Sequence, residues 1–350
     1  MIKEIHPIKN KYYDQHEKVF YFEEKKVGLK GFIAWHNTKQ GPATGGTRLF
    51  SYKNKSEALI DVLKLSRAMT YKCAISGVPF GGGKAVIMAN QKQKNKPFLK
   101  AYANIINSFS GKYTTGTDVG ISDEDTKFMS SITPFILKGT KGNTTTSLMA
   151  ARGVYEGIIA AYKKVLPNKK LNEMRIAIKG MGKIGAELVR LLSIHKPKIF
   201  ISDINKKAVS KIKNKFPNIE IIDWQKIHKT KVDVYSPCAM GGEFTEKTIK
   251  ELDCKIIAGG ANNQFKNEKD ILKLKKKNII YVPDYVINAG GLIQIVDELH
   301  KKGYNRNRVL KNVKNICFTT SKIIQMSKKT GQSTIEIAEK IAHEKIRKTK

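Results

Sequence analysis

Arg175-Ile176-Ala177-Ile178-Lys179 is a strand-like apolar run, and Gly180-Met181-Gly182-Lys183-Ile184-Gly185 follows it without a break. That turn opens a helical pattern through Leu188, Leu191 and Leu192. Strand, glycine turn and helix in this order give G-x-G-x-x-G its meaning as a phosphate-binding turn, which a lone glycine pattern lacks. Gly180 permits the tight turn, Gly182 lets backbone approach a pyrophosphate, and Gly185 lets the helix pack close to the sheet. The helix start at Lys183 and Ile184 offers N–H groups and a positive dipole end to phosphates. Asp203 ends the next strand, 198–202, 23 residues after Gly180. An acid there binds ribose hydroxyls and repels a 2′-phosphate, so NAD is expected over NADP. Lys206 and Lys207 argue the other way. The bland alternative is a helix-packing turn followed by a surface aspartate.

Further strand candidates at 232–235, 255–258 and 278–282 alternate with helical segments. That rhythm predicts a parallel sheet covered on both faces. The first half reads differently. A helix starts at Ser56-Glu57 with an apolar face through Leu59, Ile60, Leu63 and Ala68. Val86-Ile87-Met88 is a short strand, and 102–109 a second helix. Thr133-Pro134 and the segment 138–143 break the pattern. The expected class is α/β: an N-terminal α/β domain, 1–143, and a Rossmann-type doubly wound dinucleotide-binding domain, 144–328. From Asn305 two charged amphipathic helices flank a turn at Gly331, and 329–350 is expected to pack back on the first domain.

The 350 residues suffice for two such domains. Hydrophobic residues make up 41% and charged residues 27%, an ordinary globular balance. No apolar run reaches the roughly 18 residues of a membrane span, so no membrane partner is expected. Cys73, Cys238, Cys254 and Cys317 are widely separated, without C-x-x-C. This suits neither a disulfide framework nor a metal site, and a cytoplasmic location is expected. Sixty-five Lys+Arg against thirty Asp+Glu give +35. Only eight of the 65 are Arg, and the lysines are scattered in ones to threes, so a general surface bias outweighs a selected polyanion surface. Nucleic acid is expected to bind only nonspecifically, with strong salt sensitivity.

Three glycine-flanked segments of the first half carry chemistry-bearing residues. Gly45-Gly46 follows Gly41-Pro42-Ala43-Thr44, a loop whose backbone N–H groups would receive an anion. Met69-Thr70-Tyr71-Lys72 closes a helix with a lysine, and Gly81-Gly82-Gly83-Lys84 supplies a second lysine. Gly116-Thr117-Asp118-Val119-Gly120 sets an acid in a tight loop. Lys84 is not a P-loop lysine, because Ala85 stands where Ser or Thr would bind magnesium and Val78 where the first Gly belongs. In a Lys-rich chain either lysine alone suits a solvated surface, but their uncharged neighbours weigh against that.

These segments, with Gly-Pro-Ala-x-Gly-Gly-x-Arg at 41–48, Ala261-Asn262-Asn263-Gln264 and Pro283-Asp284-Tyr285-Val286-Ile287-Asn288-Ala289-Gly290-Gly291, make the chain resemble the Glu/Leu/Phe/Val amino-acid dehydrogenase family. The resemblance runs from about Gly31 to the final helices. It implies a substrate domain and an NAD domain with a cleft between them, and reversible oxidative deamination of an L-amino acid to a 2-oxo acid and ammonium. It also implies a homo-oligomer. By the same resemblance Lys72 binds the substrate carboxylate, helped by Gly45, Gly46 and Asn288. Lys84 is the general base toward water, a role needing a pKa well below the free-lysine value near 10.4. Asp118 handles the amino group, and Asn263 with the Cys238-Ala239 turn lies near the nicotinamide ribose. Relatives usually carry a Pro/Ser turn and a cofactor-contacting Thr at the start of the interdomain helix. Here Thr144-Thr145-Thr146-Ser147-Leu148-Met149-Ala150-Ala151 stands there, with Ala150 at the Thr position.

The leucine branch carries Ala-Glu before the catalytic Asp and Leu before the Gly-Gly loop. This chain has Gly116-Thr117 and Thr44. Gly116, Gly81-Gly82-Gly83-Lys84 and Gly290-Gly291-Leu292-Ile293-Gln294 look more like the phenylalanine branch. Gly116 would widen a pocket lined by Leu292 and Ile295. The expected substrate is therefore a hydrophobic L-amino acid, phenylalanine-like or branched-chain, and polar Thr44 fits neither branch. A leucine/valine enzyme is the alternative within the class. A catalytically decayed relative binding nucleotide or nucleic acid is the alternative outside it, opposed by the joint presence of Lys72, Lys84 and Asp118.

Overall fold

The computed structural model describes residues 1–141 and 144–349. It divides into two compact units, Met1–Asn143 with Glu298–Gly303 and Ala342–Lys350, and Thr144–Asp297 with Tyr304–Ile341. The expected boundary adjoins residues 142 and 143, which lie outside the described residues.

The first unit is built on a mixed sheet of β1 (Ile2–Glu4), β2 (Lys18–Glu24), β3 (Leu29–Asn37), β4 (Ala43–Thr44), β5 (Thr47–Phe50), β6 (Gly81–Met88) and β7 (Tyr113–Thr114), with the short β8 (Thr140–Lys141) outside it. The order is β1-β2-β3-β6-β4-β7, with β5 also paired to β6. β3 and β6 are antiparallel, whereas β4 and β5 run parallel to β6. Helix α1 (Lys55–Ser76) covers one face, and α2 (Lys96–Ser108) with α3 (Asp123–Met129) lies on the other side. Asn54 caps α1 by accepting from the Glu57 N–H at 2.9 Å, and Gly77 ends it at φ 70°.

Alternation along β6 decides which side chains share a face. Val86 packs with Val62 and Leu63 of α1, while Ala85 and Ile87 pack with Phe98, Tyr102 and Ile106 of α2. The sequence places a short strand only at Val86-Ile87-Met88, but Gly81-Gly82-Gly83 already form the start of this central strand. The reason is steric. A Cβ on Gly82 would stand 2.1 Å from the Thr70 backbone N, and one on Gly83 would stand 2.9 Å from the Tyr113 ring. The strand is squeezed from both sides, so only glycine admits it. Gly82→Ala should destabilise the protein by about 1–3 kcal/mol through overpacking, checked by urea or thermal unfolding.

The second unit holds β9 (Thr144–Thr145), β10 (Arg175–Lys179), β11 (Lys198–Ser202), β12 (Glu220–Ile221), β13 (Val234–Pro237), β14 (Ile256–Ile257) and β15 (Ile280–Tyr281). Its helices are α4 (Thr146–Val165), α5 (Lys183–Leu192), α6 (Lys206–Lys215), α7 (Glu246–Glu251), α8 (Ile271–Lys276), α9 (Asp284–Ile287), α10 (Gly290–Asp297), α11 (Arg306–Thr330) and the first half of α12 (Thr334–Lys348), whose residues from Ala342 onward count with the first unit. The sheet order is β12-β11-β10-β13-β14-β15, with every pair parallel. Counted from β10 this is 3-2-1-4-5-6, the doubly wound order in which the strand sequence reverses between β10 and β13. Ala177, Phe200, Tyr235, Ile257 and Tyr281 anchor one side of the core. α11 and α12 flank Gly331 as the sequence predicts, with Gly331 at φ 71°. Among the described residues no helix is long and apolar enough to cross a membrane.

Candidate active site

Register places the chemistry of the first unit on the α1 face of the sheet. Lys84 is two residues beyond Gly82, and Thr44 pairs with Gly82 and Thr114. Arg48 pairs with Val86. All four side chains therefore share the face that Thr70 of α1 packs against. Lys84 is only 7% exposed, and its Nζ lies 2.8 Å from Asp118 Oδ2. Arg48 Nε reaches the same oxygen at 3.3 Å. Burial alone would raise the Asp118 carboxyl, but the Lys84 ammonium and the Arg48 guanidinium outweigh it and hold the group at about 2. Asp118 is thus ionised throughout the working range of a neutral or alkaline enzyme.

The Asp118 loop is stitched to β5 by backbone. Thr47 N–H donates to Gly116 O at 3.0 Å, and Leu49 N–H donates to Val119 O at 2.8 Å. Gly120, at φ 81°, lies so near Leu49 O that a Cβ would stand 2.3 Å away. Gly46 likewise leaves room for Thr117 O, 2.4 Å from where its Cβ would be.

One sequence reading needs correction. The Gly45 N–H was expected to be open to an anion, but it donates to Thr114 O at 3.2 Å, and Gly45 O accepts from Tyr113 and Thr115. Gly45 joins β4 to β5 with both its N–H and its carbonyl engaged, and does not stand in an open loop. Thr44 is buried, and its hydroxyl accepts from Thr114 Oγ1 at 2.9 Å. Lys72 is half-buried on the last turns of α1, and Gly116 is buried beside β5.

In the second unit the glycine turn has the geometry its sequence predicts. Gly180 has φ 104°, and a Cβ there would stand 2.7 Å from Ala239 N. A Cβ on Gly185 would stand 1.9 Å from Gly180 O, whereas one on Gly182 meets nothing within 4 Å. Gly182 is therefore the open approach, and it precedes α5, whose first residues are Lys183 and Ile184 and whose start has no side-chain cap. Cys238 N–H donates to Lys179 O at 2.7 Å, joining the turns after β10 and β13. Asp203 Oδ2 accepts from Met181 N–H at 2.6 Å and Oδ1 from Asn205 N–H at 2.7 Å. Its carboxylate thus also braces the glycine turn. Asn263, at φ 51°, donates its N–H to Asp284 Oδ2 at 2.7 Å. Asn288 is buried, with its Nδ2 donating to Asn262 Oδ1 at 2.6 Å. Leu292 is buried and Ile295 half-buried on α10.

Several partners escaped the sequence reading. Asp61 and Tyr52 form a chain behind Arg48. Lys179 is buried against Glu243 at 2.9–3.0 Å, and Tyr235 donates to Glu243 at 2.6 Å. Arg48 alone had a signal, as the last residue of the 41–48 motif.

A 3-2-1-4-5-6 sheet with an open glycine turn at its switch point, and a buried Lys–Asp pair on a separate unit, define a dinucleotide-dependent α/β enzyme. The Glu/Leu/Phe/Val dehydrogenase dimerisation-domain model matches residues 16–134, and the Glutamate/Leucine/Phenylalanine/Valine dehydrogenase model matches 142–350. The chain belongs to this family and is an amino-acid dehydrogenase. It is 39% identical over 336 residues to an L-tryptophan dehydrogenase of Nostoc punctiforme, covering 96% of this chain and 94% of that protein. It is 38% identical over 339 residues to a leucine dehydrogenase of Bacillus cereus (95% and 91% covered). It is 37% identical over 342 residues to a phenylalanine dehydrogenase of Caldalkalibacillus thermarum (95% and 92% covered). The crystal structure of L-tryptophan dehydrogenase from Nostoc punctiforme superposes with a TM-score of 0.85 at 38% identity, covering 95% of this chain and 96% of that one.

Proposed function

We propose that the protein catalyses NAD-dependent oxidative deamination of a hydrophobic L-amino acid: amino acid, water and NAD⁺ give 2-oxo acid, ammonium, NADH and a proton. The buried Lys84–Asp118 pair on the α1 face carries this reading. Lys72 holds the substrate carboxylate with Gly46. Lys84, in its neutral amine form, accepts a proton from the water that attacks the α-carbon, and ionised Asp118 takes up and returns the protons of the amino group. Bound NAD would supply the acceptor for the hydride of the α-carbon. The residues that would hold it are Gly180, Gly182, Gly185 and the start of α5 for the pyrophosphate, Asp203 for the ribose, and Cys238, Ala239 and Asn263 toward the nicotinamide end. The uncapped start of α5 and the open space at Gly182 fit that task.

The tryptophan, leucine and phenylalanine dehydrogenases among the relatives support a hydrophobic side chain, without choosing among them. Thr44 is compatible with an apolar wall, because Thr114 takes up its hydroxyl. The dimerisation-domain match supports a homo-oligomer. NADH formation at alkaline pH across Phe, Leu, Val, Tyr, Trp and Glu tests the substrate class, and glutamate as the best substrate would refute it. Asp203→Ala should raise relative use of NADP. A wild-type preference for NADP would instead assign the ribose end to Lys206 and Lys207.

A further inference from the structure

Asp118 Oδ2 lies between two cations, and the second is itself restrained. The Arg48 guanidinium spans two carboxylates: Nε faces Asp118 at 3.3 Å, and NH1 faces Asp61 of α1 at 3.0 and 3.3 Å. Tyr52 donates its hydroxyl to Asp61 Oδ2 at 2.6 Å. All of these groups are at most half-exposed and belong to the first unit.

We propose that Arg48, anchored by Asp61 and Tyr52, is a positioning residue that orients the Asp118 carboxylate so that one oxygen meets Lys84. This rests on the reading that Asp118 handles the substrate amino group. A carboxylate on a loop turns about its χ angles unless it is held from more than one side; Lys84 holds Oδ2, and the Val119 backbone N–H supports the group from within its own loop. Arg48 supplies the second side-chain hold on Oδ2, with a planar fork that a lysine cannot reproduce. Its backbone neighbours Thr47 and Leu49 already bind the Asp118 loop, so the loop path does not depend on the guanidinium. On the loop's far side Lys94, paired with Asp125 at 2.5 Å, donates to Gly120 O at 3.0 Å, which also holds the path without touching the carboxylate. The charged and titratable groups around Asp118 among the described residues include Lys84 from β6, Arg48 from β5, Asp61 from α1, Tyr52 from the segment between them, the buried Tyr113 of β7, and the more distant Lys94–Asp125 pair. Desolvation favours the protonated acid and the two cations oppose it, so losing Arg48 shifts that balance toward the proton.

Two variants separate orientation from charge. Asp61→Asn leaves the Arg48 cation but removes its anchor. Turnover should fall about tenfold or more with the amino-acid KM changed little, and the acid limb of kcat/KM should stay in place. Arg48→Gln removes both functions, so turnover should fall further and the acid limb should move to higher pH. Arg48→Lys should recover the acid limb but only part of the turnover. Wild-type turnover and an unmoved acid limb in folded Asp61→Asn and Arg48→Gln proteins would overturn the proposal. So would a merely structural result, in which the melting temperature drops while the pH profile and turnover per folded molecule stay normal. If Arg48→Gln does not fold, Arg48→Lys and Tyr52→Phe carry the test, and full turnover in both is the overturning result. Asp118→Asn is the control for the underlying reading. If it retains turnover, the Asp118 role and this inference both fall. If it is inactive while Asp61→Asn is normal, only this inference falls.

Discussion

Lys84→Ala is expected to depress turnover by at least about 10²–10⁴-fold, the range that a general base supplies, while NADH still binds. NADH affinity should persist because the glycine turn, α5 and Asp203 belong to the second unit, whereas Lys84 belongs to β6 of the first. The Asp118 carboxylate keeps Arg48 as a partner in the variant, so the loss should appear in chemistry before it appears in folding. Lys84→Met, closer in volume, separates the missing ammonium from the vacated space. Lys72→Ala should behave differently, raising the Michaelis constant of the amino acid strongly with a smaller loss of turnover, as expected when ground-state binding is removed. Stopped-flow NADH binding and steady-state kinetics on the three variants decide the matter. Near-normal turnover in Lys84→Ala would transfer the base role to Asp118 and leave Lys84 an electrostatic one.

Acidification should weaken the fold well before Asp118 is protonated. His36 lies at a bulge of β3 where the register with β6 shifts, and its ring turns toward α1, with Nδ1 2.9 Å from Thr70 Oγ1. It is 9% exposed and meets His16 edge-on at 4.8 Å between ring centres. Burial, and then the His16 ring, push its pKa from 6.5 down to about 4, against the opposing pull of Asp14, whose Oδ2 lies 3.5 Å from Nε2. Between those values the unfolded chain binds a proton that the folded chain refuses, so stability is complete above about 6.5 and falls as the pH drops toward 4. The loss is about 3 kcal/mol from this one ring. A second loss follows below the ordinary carboxyl range, as the pH falls through the Asp118 value of about 2. Urea unfolding between pH 7.5 and 4 should show the first slope in the wild type and a much shallower one in His36→Gln. A wild-type curve that is flat across that interval would show that His36 is protonated in the folded protein.

What could be read from the sequence depended on whether the cause was local. The dinucleotide turn was legible because its three glycines, the strand before and the helix after are contiguous, and each glycine meets a constraint within a few residues or across one turn. Lys72, Lys84 and Asp118 were legible as family residues, and the structure brings Lys84 and Asp118 into direct contact. Asp61 was not, because it lies on the exposed flank of an apolar helical pattern and acquires meaning only when α1 is laid over β5. The strand start at Gly81-Gly82-Gly83 was missed for a similar reason. Glycines in a row carry no strand signal, and their cause is the nearness of Thr70 on one side and Tyr113 on the other, neither of them a sequence neighbour. Gly45 failed as an open anion receiver because its strand pairing with the 113–115 segment is equally remote.

The squeezed glycine strand that ends in Lys84 also limits how such an enzyme can change its diet. Residues that touch both α1 and neighbouring strands without a Cβ to spare leave mutation no gradual route, since the smallest enlargement collides with backbone at Gly81 and Gly82 and with the Tyr113 ring at Gly83. Diversification of substrate choice must then come from places where the sheet still carries side chains, such as Thr44 and its partner Thr114. For a directed-evolution library this means holding 81–84 constant and randomising those two positions. Lys84 then stays on an immovable rail while the side chains beside it are re-tailored.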